Sequence, residues 1–337
     1  MLHDPEKTAP GSIESLFVII SPFNLAVDFK VSNCETVIFA FISPAMSALL
    51  QTTSPSITPS FPKTTFPKVL TIYDVHENME ALYRTFSNRI KLLKELSIKF
   101  RNYNENRYLK YVDHIILANP PMGLKTYENQ STTIIENFPK IEYLSSLNEI
   151  KNRKKNSVLY HGHFGPERGL KELVYAMKEV IKSVPTASLS LVGTFRTKNF
   201  GNEIKNLIEK LELHSSIRIR KQIPHSEIWG VIKSHNVGVI PFRRTPLTEE
   251  NTPTKLFEMM ICGLELVVSK LPPAQYFVNN SVHWCDPDNI HSISQSLISA
   301  LNVKDDLSNI HENQRLVKEK YNWERKKKDY LTLFKDQ

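Results

Sequence analysis

Short apolar runs alternate with longer stretches of helical periodicity along the second half of the chain. The short runs are Val158–Tyr160, Leu189–Val192, Ile217–Ile219, Val237–Phe242 and Leu266–Ser269. A typical helical stretch has apolar residues at Leu170, Leu173, Val174, Met177, Val180 and Ile181. Further helices are predicted over Glu227–Lys233, with Ser226 as the cap, and over Ile290–Leu301. The alternation predicts a doubly wound α/β domain with a parallel sheet.

Apolar runs in the first half also predict buried strands, over Ser15–Ser21, Thr36–Ser43, Val69–Tyr73, Asp113–Ala118 and Thr132–Ile135. A helix is predicted over Pro44–Gln51, and the Ser-, Thr- and Pro-rich residues Thr52–Pro67 predict a loop. The Lys/Asn-rich run Glu149–Asn156 has the composition of a linker between two domains.

The segment Met79–Val112 is helical in pattern and strongly basic. Residues 84–110 contain eight Lys or Arg against two acids, Glu95 and Glu105. Leu92, Leu93, Leu96 and Phe100 recur at helical spacing. Two interpretations stay open: the segment docks on anionic lipid headgroups, or it is a solvated helix whose apolar stripe packs on the sheet. The polar run Asn102–Arg107 indicates a break into two helices.

The 337 residues are enough for two domains, and 41% hydrophobic with 23% charged residues is a globular composition. A formal charge of +8 favours an acidic partner: nucleic acid, an anionic membrane or a phosphorylated substrate. A nucleic-acid binder is not expected, because the sequence has no aromatic-basic interleaving or recognition motif.

Cysteine spacing and apolar run length indicate the compartment. Cys34, Cys262 and Cys285 form no CxxC pair, which argues against a disulfide framework or a zinc site and fits a reducing cytoplasm. The apolar stretches Leu16–Val27 and Val37–Leu50 contain prolines and are shorter than the ~20 residues that span a bilayer. With no basic segment leading into a clean apolar core, no secretory signal is expected.

Candidate chemistry is concentrated in residues 250–263, ENTPTKLFEMMICG. Glu250 and Glu258 stand on either side of a Pro-containing turn, directly after the predicted strand Val237–Phe242. Strand, polar loop and helix in this order place a ligand at the carboxyl edge of a parallel sheet, where helix amides favour an anion. The alternative is a solvated acidic loop followed by an ordinary amphipathic helix.

Two other strand ends carry polar residues. The loop Gly162–Gly169 has small residues and a cation, Arg168, as a phosphate cradle requires, but it is neither GxGxxG nor a P-loop. His76 follows the strand Val69–Tyr73 between acidic residues, which is typical of a site. It is equally typical of a helix cap, in which Asp74 or Asn78 accepts from backbone N–H groups.

With these motifs in place, the second half resembles the nucleotide-binding domain of family 4 glycosyltransferases, which have the GT-B fold. The matching segments are the Gly162 loop ending in ERGL, then LVGTF, IRIRKQIPHSEI, VIPF followed by E-x7-E and CG, and YNWERKKKDYLTLF. Resemblance covers about residues 157–334, and YDVHEN and IIENFP extend it to residues 69–140.

The resemblance implies two Rossmann-like domains facing a central cleft: a short acceptor-side domain over residues 1–150, a nucleotide-sugar domain over 151–320, and a closing helix over 321–337. It implies a retaining, metal-independent hexosyltransferase without a cofactor, which takes a UDP- or GDP-sugar as donor and a glycan or lipid-linked acceptor in cell-surface polysaccharide synthesis. The expected location is cytoplasmic, peripheral at the inner membrane face through residues 84–110.

Residue roles are carried over from the matching motifs. Arg168 is expected at the diphosphate and Glu258 at the ribose hydroxyls. The catalytic positions are Glu250, facing the donor sugar, and His76. Further substrate-binding residues are Gly162, His163, Asn251, Thr252, Pro253, Thr254 and Lys255. For Lys255 a solvated helix residue is the alternative.

Several departures from the family pattern leave other functions open. His163 replaces the usual loop arginine with a group that titrates near neutrality. The first domain lacks the Gly-Gly loop that shapes the acceptor side, so an inactive nucleotide-sugar-binding subunit is one alternative, and a GT-B sugar-nucleotide epimerase is another. Asp286-Pro287-Asp288 spells the D-x-D metal motif of a different fold and is interpreted as a helix cap and turn.

Overall fold

The computed structural model describes residues 16–21, 36–41, 70–76, 78–119, 127, 129–151, 153–303 and 306–333. The chain divides into two compact units, residues 1–135 and 136–337. The predicted helix Pro44–Gln51, the loop Thr52–Pro67 and Cys34 lie outside the described residues.

The first unit contains a parallel sheet in the order β2-β1-β3-β4-β5. Its strands are β1 Leu16–Ser21, β2 Thr36–Phe41, β3 Leu70–Val75, β4 His114–Leu117 and β5 Thr132–Ile134, and its helices are α1 Met79–Phe86 and α2 Lys91–Leu109. The five strand predictions are confirmed. Since the order is that of a doubly wound sheet, a switch point lies between β1 and β3.

The basic segment forms two helices, but the break lies at residues 87–90 and not at Asn102–Arg107. Within α2 the Asn102 amide donates to Glu80 at 3.0 Å, and Glu105 accepts from the Tyr127 hydroxyl at 2.7 Å. This run is polar because it faces polar partners inside the unit, so its polarity does not interrupt the helix.

The second interpretation of that segment, an apolar stripe packed on the sheet, is wrong. Leu92, Leu93, Leu96 and Phe100 are all exposed on α2, and Ile98 and Leu109 are its buried residues.

The second unit contains a parallel sheet in the order β8-β7-β6-β9-β10-β11. Its strands are β6 Ser157–Phe164, β7 Ser188–Phe195, β8 Ile217–Arg220, β9 Val237–Ile240, β10 Glu265–Ser269 and β11 His283–Cys285. Its helices are α3 Leu147–Lys151, α4 Leu170–Ser183, α5 Lys198–Lys210, α6 His225–Lys233, α7 Lys255–Ile261, α8 Pro272–Phe277, α9 Ile290–Leu301, α10 Ser308–Glu319 and α11 Trp323–Thr332. In chain order this is the 3-2-1-4-5-6 arrangement of dinucleotide-binding domains.

Residues 136–156 belong to the second unit and do not form the predicted linker. Phe138 meets the ring of Phe257 edge-on at 4.7 Å. Arg153 is buried and donates to three backbone carbonyls, those of Lys233, Cys262 and Gly263. A charged linker would expose its arginine, so the composition of Glu149–Asn156 is misleading.

Several element ends differ from the predictions. Strand β6 continues to Phe164, beyond the predicted end at Tyr160. Pro224, and not Ser226, is the residue that precedes α6. The turn at the D-x-D sequence is confirmed, because the Asp288 amide donates to Asp286 at 3.4 Å, but Asn289 caps α9. The sequence pattern gave no indication of α8, α10 or β11.

No helix in the described part of the chain is long and apolar enough to cross a bilayer. Cys262 and Cys285 are buried free thiols.

Candidate active site

Most of the predicted site residues in the second unit lie near the carboxyl ends of two neighbouring strands, β6 and β9. The chain crosses from β6 to β7 on one side and from β9 to β10 on the other, so this is the switch point of the sheet. Ligands of open α/β sheets bind in the crevice at this point.

Lys255 reaches from the start of α7 to the end of β6. Its Nζ donates to the carbonyl oxygen of His161 at 2.6 Å and lies 4.1 Å from the ring centroid of Tyr160, which is fully buried. Burial, reinforced by the charge of Arg168, lowers the pKa of Lys255. The alternative of a solvated helix lysine is therefore not supported.

Gly162 makes room for this lysine. Its φ is +110°, and a Cβ there would lie 3.0 Å from Lys255 Nζ. Gly162 pairs with Gly193 across β6 and β7, and a Cβ on Gly193 would lie 1.8 Å from the Gly162 carbonyl. Both glycines are needed for the close approach of backbone and cation at this strand end.

The Glu258 carboxylate lies between two imidazole rings. Its Oε2 is 3.4 Å from His161 Nε2, and its Oε1 is 3.3 Å from His225 Nε2. His225 packs edge-on against Trp229, which stacks on Tyr143 at 3.7 Å. A carboxylate can accept about four hydrogen bonds, so Glu258 retains acceptor capacity for a ligand.

Protonation differs between the two rings. Burial lowers the pKa of His161 to about 4, so this ring is neutral at pH 7 and its contact with Glu258 is not a salt bridge. The hydrogen bond with Glu258 raises the pKa of the exposed His225. Burial acts to raise the pKa of Glu258. The hydrogen bond with His225 and the nearby His161 and Lys255 lower it by more, so the carboxylate is charged.

Arg168 is held by a buried carboxylate. Its Nε is 3.2 Å from Glu167, whose side chain is only 2% exposed, and Arg196 approaches the same oxygen at 3.0 Å. The Arg168 guanidinium lies 4.5 Å from the ring centroid of Phe242, and Lys255 Nζ lies 5.2 Å from it. Arg168 and Lys255 therefore meet at the Phe242 ring, and the contact with Glu167 places Arg196 beside Arg168.

His163 does not replace the missing arginine as a cation. It is exposed on β6, and partial desolvation, followed by the charges of Arg196, Arg168 and Lys255, lowers its pKa. Both effects favour the neutral ring, so His163 is a weaker cation than the arginine it replaces. Arg196 provides the permanent charge at this edge instead.

The loop before α7 contains the remaining predicted contacts. Glu250 lies in a turn, and its amide donates to Leu247 at 3.4 Å. The Asn251 side-chain oxygen is buried and accepts no hydrogen bond from the described residues. Thr252 and Pro253 are buried, whereas Thr254 is exposed and precedes α7 without a side-chain cap. Predicted ligand roles for all five residues stay predictions.

His76 belongs to the first unit, directly after β3. Its Nε2 is 2.9 Å from Asp74 Oδ2, and Asn119 donates to its carbonyl oxygen at 3.3 Å. Asn78 is the cap of α1, accepting from Ala81 at 3.0 Å. Asn78 therefore satisfies the helix end, while Asp74 orients the His76 ring.

Sequence reasoning missed His161, His225, Glu167 and Arg196 as site residues. His161 and Glu167 flank assigned positions and were available as signals. Arg196 and His225 lie far from the E-x7-E segment in sequence. The β6–β7 register brings Arg196 to this edge, and His225 contacts Glu258 from the start of α6. No cluster of three metal-type side chains occurs among the described residues.

The family model of the glycosyl transferases group 1 matches residues 146–317, just over half of the chain. A sequence search among curated proteins finds no match.

Several solved structures have a similar architecture. An S. aureus TarM mutant in complex with fondaparinux, alpha-GlcNAc-glycerol and UDP has a TM-score of 0.64 and 15% identity, over 88% of this chain and 55% of that one. Anabaena HepE in complex with UDP and glucose also has a TM-score of 0.64 and 15% identity, over 81% and 74%. A Rickettsia africae glycosyltransferase has a TM-score of 0.63 and 13% identity, over 96% and 98%.

This chain thus spans only about half of the TarM chain. At these identities the similarity shows the fold, and it is the GT-B fold that the sequence predicted. Together with the family match over the second unit, it assigns the chain: it belongs to the glycosyl transferases group 1 family.

Proposed function

We propose that the chain is a retaining, family 4-type hexosyltransferase that moves a sugar from a nucleoside diphosphate sugar to a glycan or lipid-linked acceptor in cell-surface polysaccharide synthesis. The observation that carries the proposal is the presence, at one switch point, of a charged carboxylate, Glu258, and two basic side chains that meet at Phe242, Lys255 and Arg168.

The cations suit the diphosphate. As the bond to the sugar breaks, negative charge develops on the departing phosphate oxygens, and fixed cations there stabilise the transition state. Lys255 is tied to β6 and Arg168 to Glu167, so both are positioned before the donor binds. A bound phosphate would also favour the charged form of Lys255, whose pKa burial lowers. Arg196 extends the same positive edge.

Glu258 suits the ribose. Two adjacent hydroxyls can donate to the two oxygens of one carboxylate. The low pKa of Glu258 keeps the acceptor charged. His225 forms a hydrogen bond with one carboxylate oxygen, and the neutral His161 ring lies 3.4 Å from the other. On donor binding the ribose hydroxyls would replace the hydrogen bond from the exposed His225 to Glu258, whereas the buried His161 would stay beside the carboxylate.

Similar structures with UDP bound make UDP-sugars the first donors to test, with GDP-sugars next. Glu250 remains the proposed residue facing the donor sugar, and His76 keeps the donor-contacting role that the family resemblance implies. Transfer without a metal ion or cofactor is part of the proposal, since protein cations are assigned to the diphosphate.

The test is a thermal-shift screen of UDP- and GDP-sugars with the full chain, followed by transfer assays with glycan and lipid-linked acceptors, each with and without EDTA. The expected result is stabilisation by one sugar nucleotide and EDTA-insensitive transfer with retained anomeric configuration. Stabilisation without turnover would favour an inactive binding subunit, product formation without acceptor would favour an epimerase, and no stabilisation by any donor would contradict the proposal.

A further inference from the structure

Helix α2 has its polar side turned inward and its apolar side turned to solvent, the reverse of an ordinary surface helix. Both of its acidic residues have partners within the unit: Glu95 is paired with Arg84 of α1, and Glu105 accepts from Tyr73 and Tyr127. The carboxylates of α2 are therefore used to hold the helix onto its own unit.

The outward side is a continuous apolar surface. We define the apolar α2 face as Ile90, Leu92, Leu93, Leu96, Phe100 and Tyr103, whose side chains are between 50% and 68% exposed. Eight of the ten large hydrophobic residues that are exposed in the described part of the chain lie between positions 90 and 111. Exposed apolar residues scattered singly are normal, but a grouping of this kind on one helix marks an interaction surface.

Cations surround this face. Arg89, Lys91, Lys99, Arg107 and Lys110 are exposed. Of the two acids on α2, Glu105 bonds to Tyr127 inside the unit, and Glu95, which is 37% exposed, is paired with Arg84. The surface offered to a partner is therefore apolar at its centre and positively charged around it.

We infer that the apolar α2 face docks on an anionic lipid bilayer, with the helix lying in the plane of the headgroups. Apolar side chains enter the acyl boundary, lysines and arginines contact anionic headgroups, and tyrosine is a preferred residue at that depth. The excess of exposed cations over carboxylates on this helix is complementary to such a surface. It disfavours a second copy of the same face, because like charges would oppose each other. This inference does not depend on the proposed function.

The experiment is co-sedimentation of the full chain with vesicles of phosphatidylglycerol and phosphatidylcholine in equal parts, compared with phosphatidylcholine alone. Binding is expected to the anionic vesicles and is expected to weaken with added salt. Replacing both Lys91→Gln and Lys99→Gln is expected to weaken it about 25-fold, at about fivefold per cation near the surface. The matched control, Lys205→Gln with Lys210→Gln, removes the same charge from the exposed side of α5 and is expected to bind as wild type.

The apolar contribution is tested by Leu93→Ser with Phe100→Ser, against Tyr276→Ser, an equally exposed ring in the second unit. The double variant is expected to bind vesicles at least about tenfold more weakly, since each serine removes apolar surface that the leucine or phenylalanine would bury in the bilayer. Sugar-nucleotide stabilisation is expected to be unchanged in both sets, which separates this inference from the donor site.

Three results would overturn it: no binding to anionic vesicles, binding that the double variants leave unchanged, or a wild-type dimer in light scattering that Leu93→Ser with Phe100→Ser dissociates while vesicle binding is absent. The last result would assign the face to a second copy of the chain.

Discussion

Lys255 Nζ donates a hydrogen bond to the carbonyl oxygen of His161 at 2.6 Å, which ties the first turn of α7 to the carboxyl end of β6. The cation lies in the space that the missing Gly162 side chain leaves open. The end of β6 is therefore joined by a lysine side chain to the helix that follows β9 and its loop.

Gly162→Ala is expected to destabilise the fold by about 1–3 kcal/mol, because a side chain at a φ of +110° is strained and its Cβ would lie 3.0 Å from Lys255 Nζ. The same change is expected to weaken nucleotide binding, since Lys255 must move. Urea unfolding and calorimetric titration with UDP measure the two effects.

Gly230→Ala is the matched control. A Cβ at position 230 meets nothing within 4 Å, and the residue lies inside α6. It is expected to raise stability by about 0.5–1 kcal/mol, because alanine is the better helix former. If Gly162→Ala and Gly230→Ala change the free energy of unfolding equally, the backbone conformation and the space at Gly162 do not contribute to stability.

Lys255→Met is expected to leave thermal stability unchanged or raise it, and to weaken UDP binding about 10- to 100-fold. The substitution removes a cation whose burial is unfavourable and whose pKa is lowered by Arg168, but it also removes a charge-assisted contact with the diphosphate. Calorimetry with Lys205→Met as the control measures this. A variant that loses stability while keeping UDP affinity would assign Lys255 a purely structural role.

Periodicity and residue type identified most of the fold and one side of this site. Five strands of the first unit, the alternation of the second and the E-x7-E segment were all evident from local pattern. Arg196 and His225 were missed because their positions depend on parallel register and helix packing between distant segments. The linker prediction failed for a related reason: Arg153 is satisfied by the carbonyls of Lys233, Cys262 and Gly263, and composition carries no record of such partners.

The stability of the wild-type chain is expected to fall as pH falls from 6.5 to 4, with His161 as one cause. Burial lowers the pKa of His161 from its ordinary value of 6.5 to about 4. Between these values the unfolded chain binds a proton that the folded chain does not, so the contribution is complete above pH 6.5 and is lost progressively as the pH falls to 4. Its size is on the order of 3 kcal/mol.

His161→Gln is expected to flatten this part of the pH profile, measured as the free energy of unfolding at several pH values. His214→Gln, at an exposed position in the same unit, serves as the control and is expected to parallel the wild type. Parallel profiles for wild type and His161→Gln would contradict the assignment of a buried neutral ring.

Glu167→Gln is expected to cost about 1–3 kcal/mol of stability and to weaken UDP binding, because Arg168 and Arg196 lose the carboxylate that holds both. Glu203→Gln breaks an exposed pair with Lys171 and is expected to cost no more than about 1 kcal/mol, with UDP binding unchanged. Urea unfolding and calorimetry distinguish them. Intact UDP affinity in Glu167→Gln would remove the two arginines from the donor site.

The most direct test of the donor site is calorimetric titration of Glu258→Ala with the nucleoside diphosphate that stabilises the wild-type chain most. Glu209→Ala, at an exposed position on α5, is the control. Loss of two hydroxyl contacts to a charged carboxylate predicts an affinity about 100-fold weaker for Glu258→Ala and unchanged for Glu209→Ala. Equal affinity of Glu258→Ala and wild type would contradict the assignment of the ribose to Glu258.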